Sequence, residues 1–270
     1  MNKIKIGNQS AFSAKTPLQP FEYSVANGFD AFEWFPDKQD SGSGWDVNDL
    51  DRETRSYIKD TAKEHNITLS VHASLRGNPP GKESSEILFG NVEFAQHIGA
   101  TLLNIHLVNE DGIESFIDSI KPVIMYTSMA GLQLSIENTP LSSPDDFNAL
   151  FSLLEKRLNV PTSHVGMCLD IGHANLHEST RNNYLNFIEL LEPSVPIIHI
   201  HMHENFGDRD SHLSFFTGPA ARDTSAVQET VKRLKKRGFS GSVILEQWPD
   251  PPLLLNEARD RLYHMFNSPK

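Results

Sequence analysis

The feature that most constrains the fold is an alternation. Short apolar, strand-like runs begin near residues 4, 29, 67, 101, 132, 165, 197 and 242. Between them, apolar residues recur at helical spacing. The segment 49–65 places Leu50, Thr54, Tyr57, Ile58 and Ala62 on one face, and the segment 83–98 does the same with Ile87, Leu88, Val92, Ala95 and Ile98. A further helix opens near Ile113 with Phe116, Ile117 and Ile120, and Pro122 is expected to kink or split it. The clearest helix follows Ser143. That serine caps it, Pro144 takes the first turn, Asp145 and Asp146 meet the positive end of the dipole, and Phe147, Leu150, Phe151 and Leu154 follow in register. The segment 224–237 buries Val227, Val231 and Leu234 and stops at Lys235-Lys236-Arg237-Gly238. Less distinct helical segments cover about 180–191 and 252–266.

Eight strands, each followed by a helix, predict an α/β fold: a parallel, eight-stranded (β/α)8 TIM barrel. Barrels of this kind run to about 250 residues as one domain, so residues 1–270 read as a single domain. An open doubly wound sheet is the competing architecture. No Gly-x-Gly-x-x-Gly follows the first strand, so a dinucleotide fingerprint is absent.

In such barrels the active site lies at the C-terminal strand ends. The run Ile197-Ile198-His199-Ile200-His201-Met202-His203 puts three imidazoles on one strand face. An isolated histidine here would ordinarily be a hydrogen-bonded core residue. Three in alternation, followed by Asp210-Ser211-His212, point to a metal instead. The other strands end in His72, His106, Glu137, Asp170 and Glu246, and His173 follows Asp170 closely. Charged groups ending apolar strands are costly unless paired or metal-bound. The candidate ligands are therefore His72, His106, Glu137, Asp170, His173, His201, Asp210, His212 and Glu246. Mixed imidazole and carboxylate donors suit Zn, Mn, Fe or Co better than Ca or Mg.

Ile136-Glu137-Asn138-Thr139, Leu169-Asp170-Ile171-Gly172-His173-Ala174, the histidine run through Asn205, Asp210-Ser211-His212 and Ile244-Leu245-Glu246 resemble the xylose-isomerase-like TIM-barrel superfamily. That superfamily includes sugar (phosphate) isomerases and epimerases and the endonuclease IV group of AP endonucleases. The resemblance covers nearly the whole chain. For an epimerase it implies one divalent ion on Glu137, Asp170, His201 and Glu246, with the two glutamates as acid and base. For the endonuclease IV group it implies three zinc ions. His72, His106 and Glu137 would hold the first; Glu137, Asp170, His201 and Glu246 the second; His173, Asp210 and His212 the third.

Two enzymatic expectations follow. The first is a divalent-metal-dependent isomerase or epimerase of a sugar, sugar phosphate or related polyol, in which Glu137 and Glu246 exchange a proton with substrate. The alternative is a multinuclear zinc hydrolase of phosphoesters. A non-enzymatic, metal-holding barrel is the third reading. For substrate contacts, His203 and Glu204 are placed to orient hydroxyls and Arg209 to meet a phosphate or carboxylate. Glu33 would either bond substrate or hold a neighbouring histidine. Trp34 and Trp248 would either stack on a sugar ring or pack in the core. The phenylalanine-bearing loop 204–222 reads as a substrate wall or a packed surface loop. Asn104 and Asn138 are expected to orient ligands, Cys168 to fill the core, and His199 to lie beneath the metal layer.

A net charge of −11 disfavours broad nucleic-acid binding, leaving a local basic patch as its one route. The loop sequences Pro17-Leu18-Gln19-Pro20 and Gly42-Ser43-Gly44-Trp45-Asp46 also differ from those expected of a DNA-gripping enzyme. The expected partner is a small sugar or sugar phosphate. A homodimer is a common assembly for such chains, although no interface signature stands out. One cysteine, no apolar run near ~20 residues and no apolar leader at the N-terminus predict a cytoplasmic protein without membrane contact.

Overall fold

Each predicted strand forms and lies beside its successor in sequence. This computed structural model describes residues 4–39, 41–77, 84–158 and 161–267. The strands are β1 (Lys5–Gln9), β2 (Ala31–Trp34), β3 (Thr68–His72), β4 (Leu102–His106), β5 (Gln133–Glu137), β6 (Val165–Asp170), β7 (Ile197–Met202) and β8 (Ser242–Leu245). All neighbours pair in parallel, and β8 returns to β1 with Lys5 opposite Ser242, so the barrel closes. The helices are α1 (Gln19–Ala26), α2 (Arg52–Glu64), α3 (Ser85–Ile98), α4 (Ile113–Ala130), α5 (Pro144–Leu158), α6 (Ile171–Leu176), α7 (Tyr184–Leu190), α8 (Ser225–Lys236) and α9 (Leu253–Asn267). Residue 83, the expected start of the third helix, and residues 1–3, read above for a leader, lie outside the described residues. Among the described residues no helix is long and apolar enough to cross a membrane.

Local chemistry explains most boundaries. Ser143 and Asp146 cap α5 reciprocally: Asp146 N–H donates to Ser143 Oγ at 3.2 Å, and Ser143 N–H donates to Asp146 Oδ2 at 2.7 Å. Helix α8 ends in basic residues and then Gly238, whose φ of 76° few other residues tolerate. Of the two outcomes expected at Pro122, a split does not occur, because α4 runs on through it. The proline sits on the exposed side, where water can solvate the carbonyl it frees, while Phe116, Ile117, Ile120, Val123, Ile124 and Thr127 bury the other face. The expected helix over 180–191 shortens to α7, and α6 precedes it directly at the end of β6. Gln19 and Pro20, read above as loop, open α1.

Strand alternation divides the barrel into two environments. One set points out beneath the helices: Phe32, Trp34, Leu69, Val71, Leu103, Ile105, Leu134, Ile136, Ile200, Met202, Val243 and Leu245, all buried. Each such side chain is worth about 1.5–3 kcal/mol when withdrawn from water. The alternate set faces the lumen and is mostly polar. It includes Glu33, Ser70, His72, Asn104, Ser135, Glu137, Asp170, His199, His201 and Glu246, again all buried. Apolar packing between barrel and helices therefore holds the fold, and the lumen is free to carry chemistry.

Candidate metal centre

The upper ring of lumen residues converges on Glu137 and His201. His72 Nε2 lies 3.3 Å from Glu137 Oε2, and His106 Nε2 lies 3.5 Å from Glu137 Oε1. His201 Nδ1 lies 3.2 Å from Glu137 Oε2, 3.0 Å from Glu246 Oε1 and 4.0 Å from Asp170 Oδ2. Beside them, the α6 turn and the loop after β7 build a second group. His173 Nε2 and His212 Nε2 each lie 3.2 Å from Asp210 Oδ2. The nine ligand candidates thus form one continuous array. Its floor is closed, while the Asp210 and His212 side chains are 37% and 39% exposed and mark the solvent side.

Several imidazoles are turned by a bond on their far nitrogen. Nδ1–H of His72 donates to the Ala73 carbonyl at 2.8 Å, that of His173 to the Asn138 carbonyl at 2.8 Å, and that of His212 to the Glu246 carbonyl at 3.0 Å. Each bond leaves Nε2 facing the cluster, the arrangement that outer partners impose on metal-ligating histidines. His212 adopts φ 42°, a strained conformation for a residue with a side chain. Asp170 is tied to α6 and β5: its Oδ1 accepts from His173 N–H at 2.5 Å and its backbone N–H donates to Asn138 Oδ1 at 2.8 Å. Asn104 donates to Glu137 Oε2 and accepts from Ser135 Oγ at 2.6 Å.

Charge is balanced within the array by imidazole. Among the described residues no Lys or Arg pairs with Glu137, Asp170, Asp210 or Glu246. Burial alone would raise the Glu137 carboxyl, but His201, His106 and His173 outweigh it and hold it well below the usual carboxylate range. Glu246 is lowered in the same way, chiefly by His201 against its burial. Burial would lower His201 and His173, yet the facing acidic groups raise both well above the ordinary imidazole value. His212 is pushed up to about 9, with burial opposing and Asp210 and Glu246 prevailing.

These residues fit a divalent cation. Glu137 Oε1, Asp170 Oδ2, His201 Nδ1 and Glu246 Oε2 are buried without an aligned hydrogen bond. Unmet polar atoms of this kind are costly in a dry interior, and a cation meets them. The donor atoms of His72, Glu137, His201 and Glu246 all lie within 4.8 Å of one another, as do those of His173, His203, Asp210 and His212.

The residues proposed to touch substrate fare differently. Glu33 lies under the ring, where Oε2 accepts from Ser70 Oγ at 2.8 Å and His199 Nε2–H at 2.9 Å. Its Oε1 accepts from Gln9 Nε2–H at 3.1 Å and stands 2.9 Å from His201 Nε2, an ion-pair contact off the line of a hydrogen bond. Glu33 therefore holds histidines, and His199 does lie beneath the ring. Trp34 belongs to the core. It is one residue out of phase with Glu33, so it points under the helices among Phe21, Phe32, Trp45 and Phe94. Trp248 is half-buried, edge-on to Tyr23 at 5.4 Å. Glu204 turns away from the site, and its carboxylate accepts from Gly218 N–H at 3.0 Å and Ala220 N–H at 2.6 Å. With Phe215 and Phe216 buried, those bonds make the outer part of the loop a packed segment. Arg209 is exposed on that loop. Gln9, overlooked in the sequence, bridges the site floor by also donating to Glu246 Oε1 at 3.0 Å. The signal for it was its place at the end of β1.

Residues 21–265 match the sequence profile of the family described as xylose isomerase-like TIM barrel. The chain belongs to that family. Among its relatives, the uncharacterized protein MJ1311 of Methanocaldococcus jannaschii is 27% identical over 213 residues, covering 70% of this chain and 68% of its own. Among solved structures, a D-tagatose 3-epimerase-like protein superposes with a TM-score of 0.72 at 21% identity, over 98% of both chains. An L-ribulose 3-epimerase does so with a TM-score of 0.68 at 17% identity, over 97% of this chain and 94% of its own. At those identities the likeness establishes the xylose isomerase-like fold.

Proposed function

We propose that this xylose isomerase-like protein is a divalent-metal-dependent isomerase or epimerase of a sugar, sugar phosphate or related polyol. One observation carries the reading: Glu137 from β5 and the Glu246 that follows β8 approach the same nitrogen of His201, at 3.2 and 3.0 Å. Two carboxylates meeting over one ligand set are what proton removal and return require. The epimerases among the structural neighbours add support at the level of the fold.

Glu137, Asp170, His201 and Glu246 would hold the ion, and the mixed donors favour Zn, Mn, Fe or Co. Such a cation, when bound, would supply Lewis-acid polarisation of a substrate carbonyl and so acidify the adjacent C–H. The protein's own part is proton handling. Both glutamates are held ionised, so either can accept a proton from carbon. The other would take a proton from water and deliver it to the neighbouring carbon or the opposite face, and the first would release its proton to water to reset the pair. Asn104 and Gln9 fix the two carboxylates by donating to Oε2 of Glu137 and Oε1 of Glu246.

The test is exchange. Metal-loaded protein is incubated in deuterium oxide with a panel of ketoses, aldoses and their phosphates, and carbon-bound deuterium is followed by NMR. Deuterium entry next to the carbonyl, lost in Glu137→Gln and Glu246→Gln, is the expected result. No incorporation across the panel would overturn the reading. A second reading, hydrolysis of small phosphoesters, is favoured by the additional group at His173, Asp210 and His212, which exceeds what one ion uses. Metal per chain and phosphate release from phosphoesters separate the two.

A further inference from the structure

We propose that His203 is a metal ligand in its own right, joining the Asp170–Glu246 side of the centre to the Asp210–His212–His173 side. The inference rests on the metal-binding reading above. It goes beyond it, because the resemblance in sequence assigns the strand-seven ligand to His201, and His203 is expected only to orient a substrate hydroxyl.

The first observation is an unmet need. His203 is 1% exposed, and neither ring nitrogen makes an aligned hydrogen bond. His199 on the same strand shows the contrast: it is equally buried and bonds Glu33 at 2.9 Å. A core histidine finds a partner in that way. His203 instead points Nε2 at carboxylates, 3.2 Å from Asp170 Oδ1, 3.7 Å from Asp210 Oδ1 and 3.9 Å from Glu246 Oε2. It is shared by the two groups His173–His203–Asp210–His212 and Asp170–His203–Glu246, in each of which the donor atoms lie within 4.8 Å of one another.

The second observation is a built cradle. A Cβ on Gly172 would stand 2.0 Å from His203 Cε1 and 2.3 Å from Nε2, so the ring fills space that glycine alone leaves. On its other side the ring stacks on His212, with centroids 3.9 Å apart and planes at 9°. The backbone around it is clamped. Asn205 Nδ2–H donates to the Gly172 carbonyl at 2.9 Å, and Asn175 Nδ2–H donates to Asn205 Oδ1 at 3.0 Å. The end of β7 is thereby fastened to α6, the helix that carries His173. A side chain wedged between glycine and an imidazole, and facing three carboxylates, is positioned to ligate.

The experiment measures metal without substrate. Full-length wild-type protein, His203→Asn, His203→Gln, Gly172→Ala and the double variant H203A/G172A are stripped with a chelator and dialysed against Zn2+ or Co2+. Bound metal per chain is counted by mass spectrometry, affinity is read by competition with a chromophoric chelator, and the cobalt absorption bands are recorded. Thermal midpoints of the stripped proteins check that each variant folds. The expected result is that both His203 variants lose one ion per chain, or about tenfold or more in affinity for the last ion bound, with altered cobalt bands. Gly172→Ala should do the same, and should cost nothing further once His203 is removed. If both His203 variants keep the wild-type count, affinity and cobalt spectrum, His203 is not a ligand, while the metal-binding reading stands. If the wild-type protein takes up no metal, both fall together.

Discussion

Replacing Glu33 by glutamine tests whether the layer beneath the ring controls the ring. The carboxylate serves four neighbours: Ser70 Oγ at 2.8 Å and His199 Nε2 at 2.9 Å on one oxygen, Gln9 Nε2 at 3.1 Å and His201 Nε2 at 2.9 Å on the other. Burial opposes its ionisation, but His201 and His199 hold its pKa well below the usual range, so it carries charge. Glutamine keeps the volume but turns one acceptor oxygen into an N–H2 donor. Whichever end faces whichever histidine, one imidazole then meets a donor. If that ring is His201, its proton moves to Nδ1, the nitrogen turned to Glu137, Glu246 and Asp170. Loss of an outer partner of this kind costs about 10–100-fold in metal affinity, or about 1.4–2.8 kcal/mol. Removing the anion from its buried pairs also costs about 3–5 kcal/mol of stability. Zinc competition against a chromophoric chelator reads the first effect and denaturant unfolding reads the second. Ser70→Ala is the control. It removes one hydroxyl hydrogen bond to the same charged oxygen but keeps the carboxylate on both histidines, so it should cost about 1.5–3 kcal/mol of stability and leave zinc affinity unchanged. An E33Q protein that is destabilised yet binds zinc as tightly as wild type would refute the argument and leave Glu33 a buttress of the fold.

Three further outcomes are expected. Trp34→Ala should destabilise by about 3–5 kcal/mol, because it empties a site among Phe21, Phe32, Trp45 and Phe94, while the Michaelis constant for any substrate stays put; a raised constant at unchanged stability would return Trp34 to the pocket. His164 contacts Thr127 Oγ1 and the Ile124 carbonyl, and burial lowers its pKa below the usual value. Its neutral form is thus favoured in the folded state. The stabilisation is present above about pH 6.5 and is lost as pH falls through the depressed folded value, so the difference in thermal midpoint between wild type and His164→Gln should shrink from pH 8 to pH 5.5. Stripping the metal should lower the thermal midpoint by about 5–10 °C relative to protein at a hundredfold excess over the dissociation constant, as differential scanning calorimetry would show.

The eight strands were legible because each is a short apolar run bounded by polar residues, and α5 and α8 because their caps are written locally in Ser143-Pro144 and Lys236-Arg237-Gly238. The clustering of the candidate ligands was legible because strand ends of a barrel converge, so sequence order alone brings His72, His106, Glu137, Asp170, His201 and Glu246 together. What escaped depended on parity and on neighbours. Trp34 and Glu33 are adjacent in sequence, and a shift of one residue separates a core aromatic from a lumen carboxylate. Helix α6 is six residues long and starts on the strand end itself, with Asp170 serving as both strand terminus and cap, so no periodic pattern announces it. Glu204 looked like a site residue because it follows three histidines. Its carboxylate instead satisfies two backbone N–H groups at the short turn Pro219–Ala221, a partner that chain order does not reveal.

The two faces of each strand explain why a barrel can hold so many ionisable groups without unfolding. Unpaired, any one of the lumen carboxylates would cost several kcal/mol. Here each is met by imidazoles, and His72, His173, His212 and His199 are met in turn by backbone carbonyls or by Glu33, so the cost is spread through a network. The outward residues, from Phe32 to Leu245, do not share in that compromise and can be packed for stability alone. The network nevertheless stops short at one layer: Glu137 Oε1, Asp170 Oδ2, Glu246 Oε2 and both nitrogens of His203 are left over. Those atoms lie where the strands end, between the buried floor at His199 and the open rim at His212. Unmet carboxylate oxygens and imidazole nitrogens gathered at that one level suit a ligand carrying positive charge.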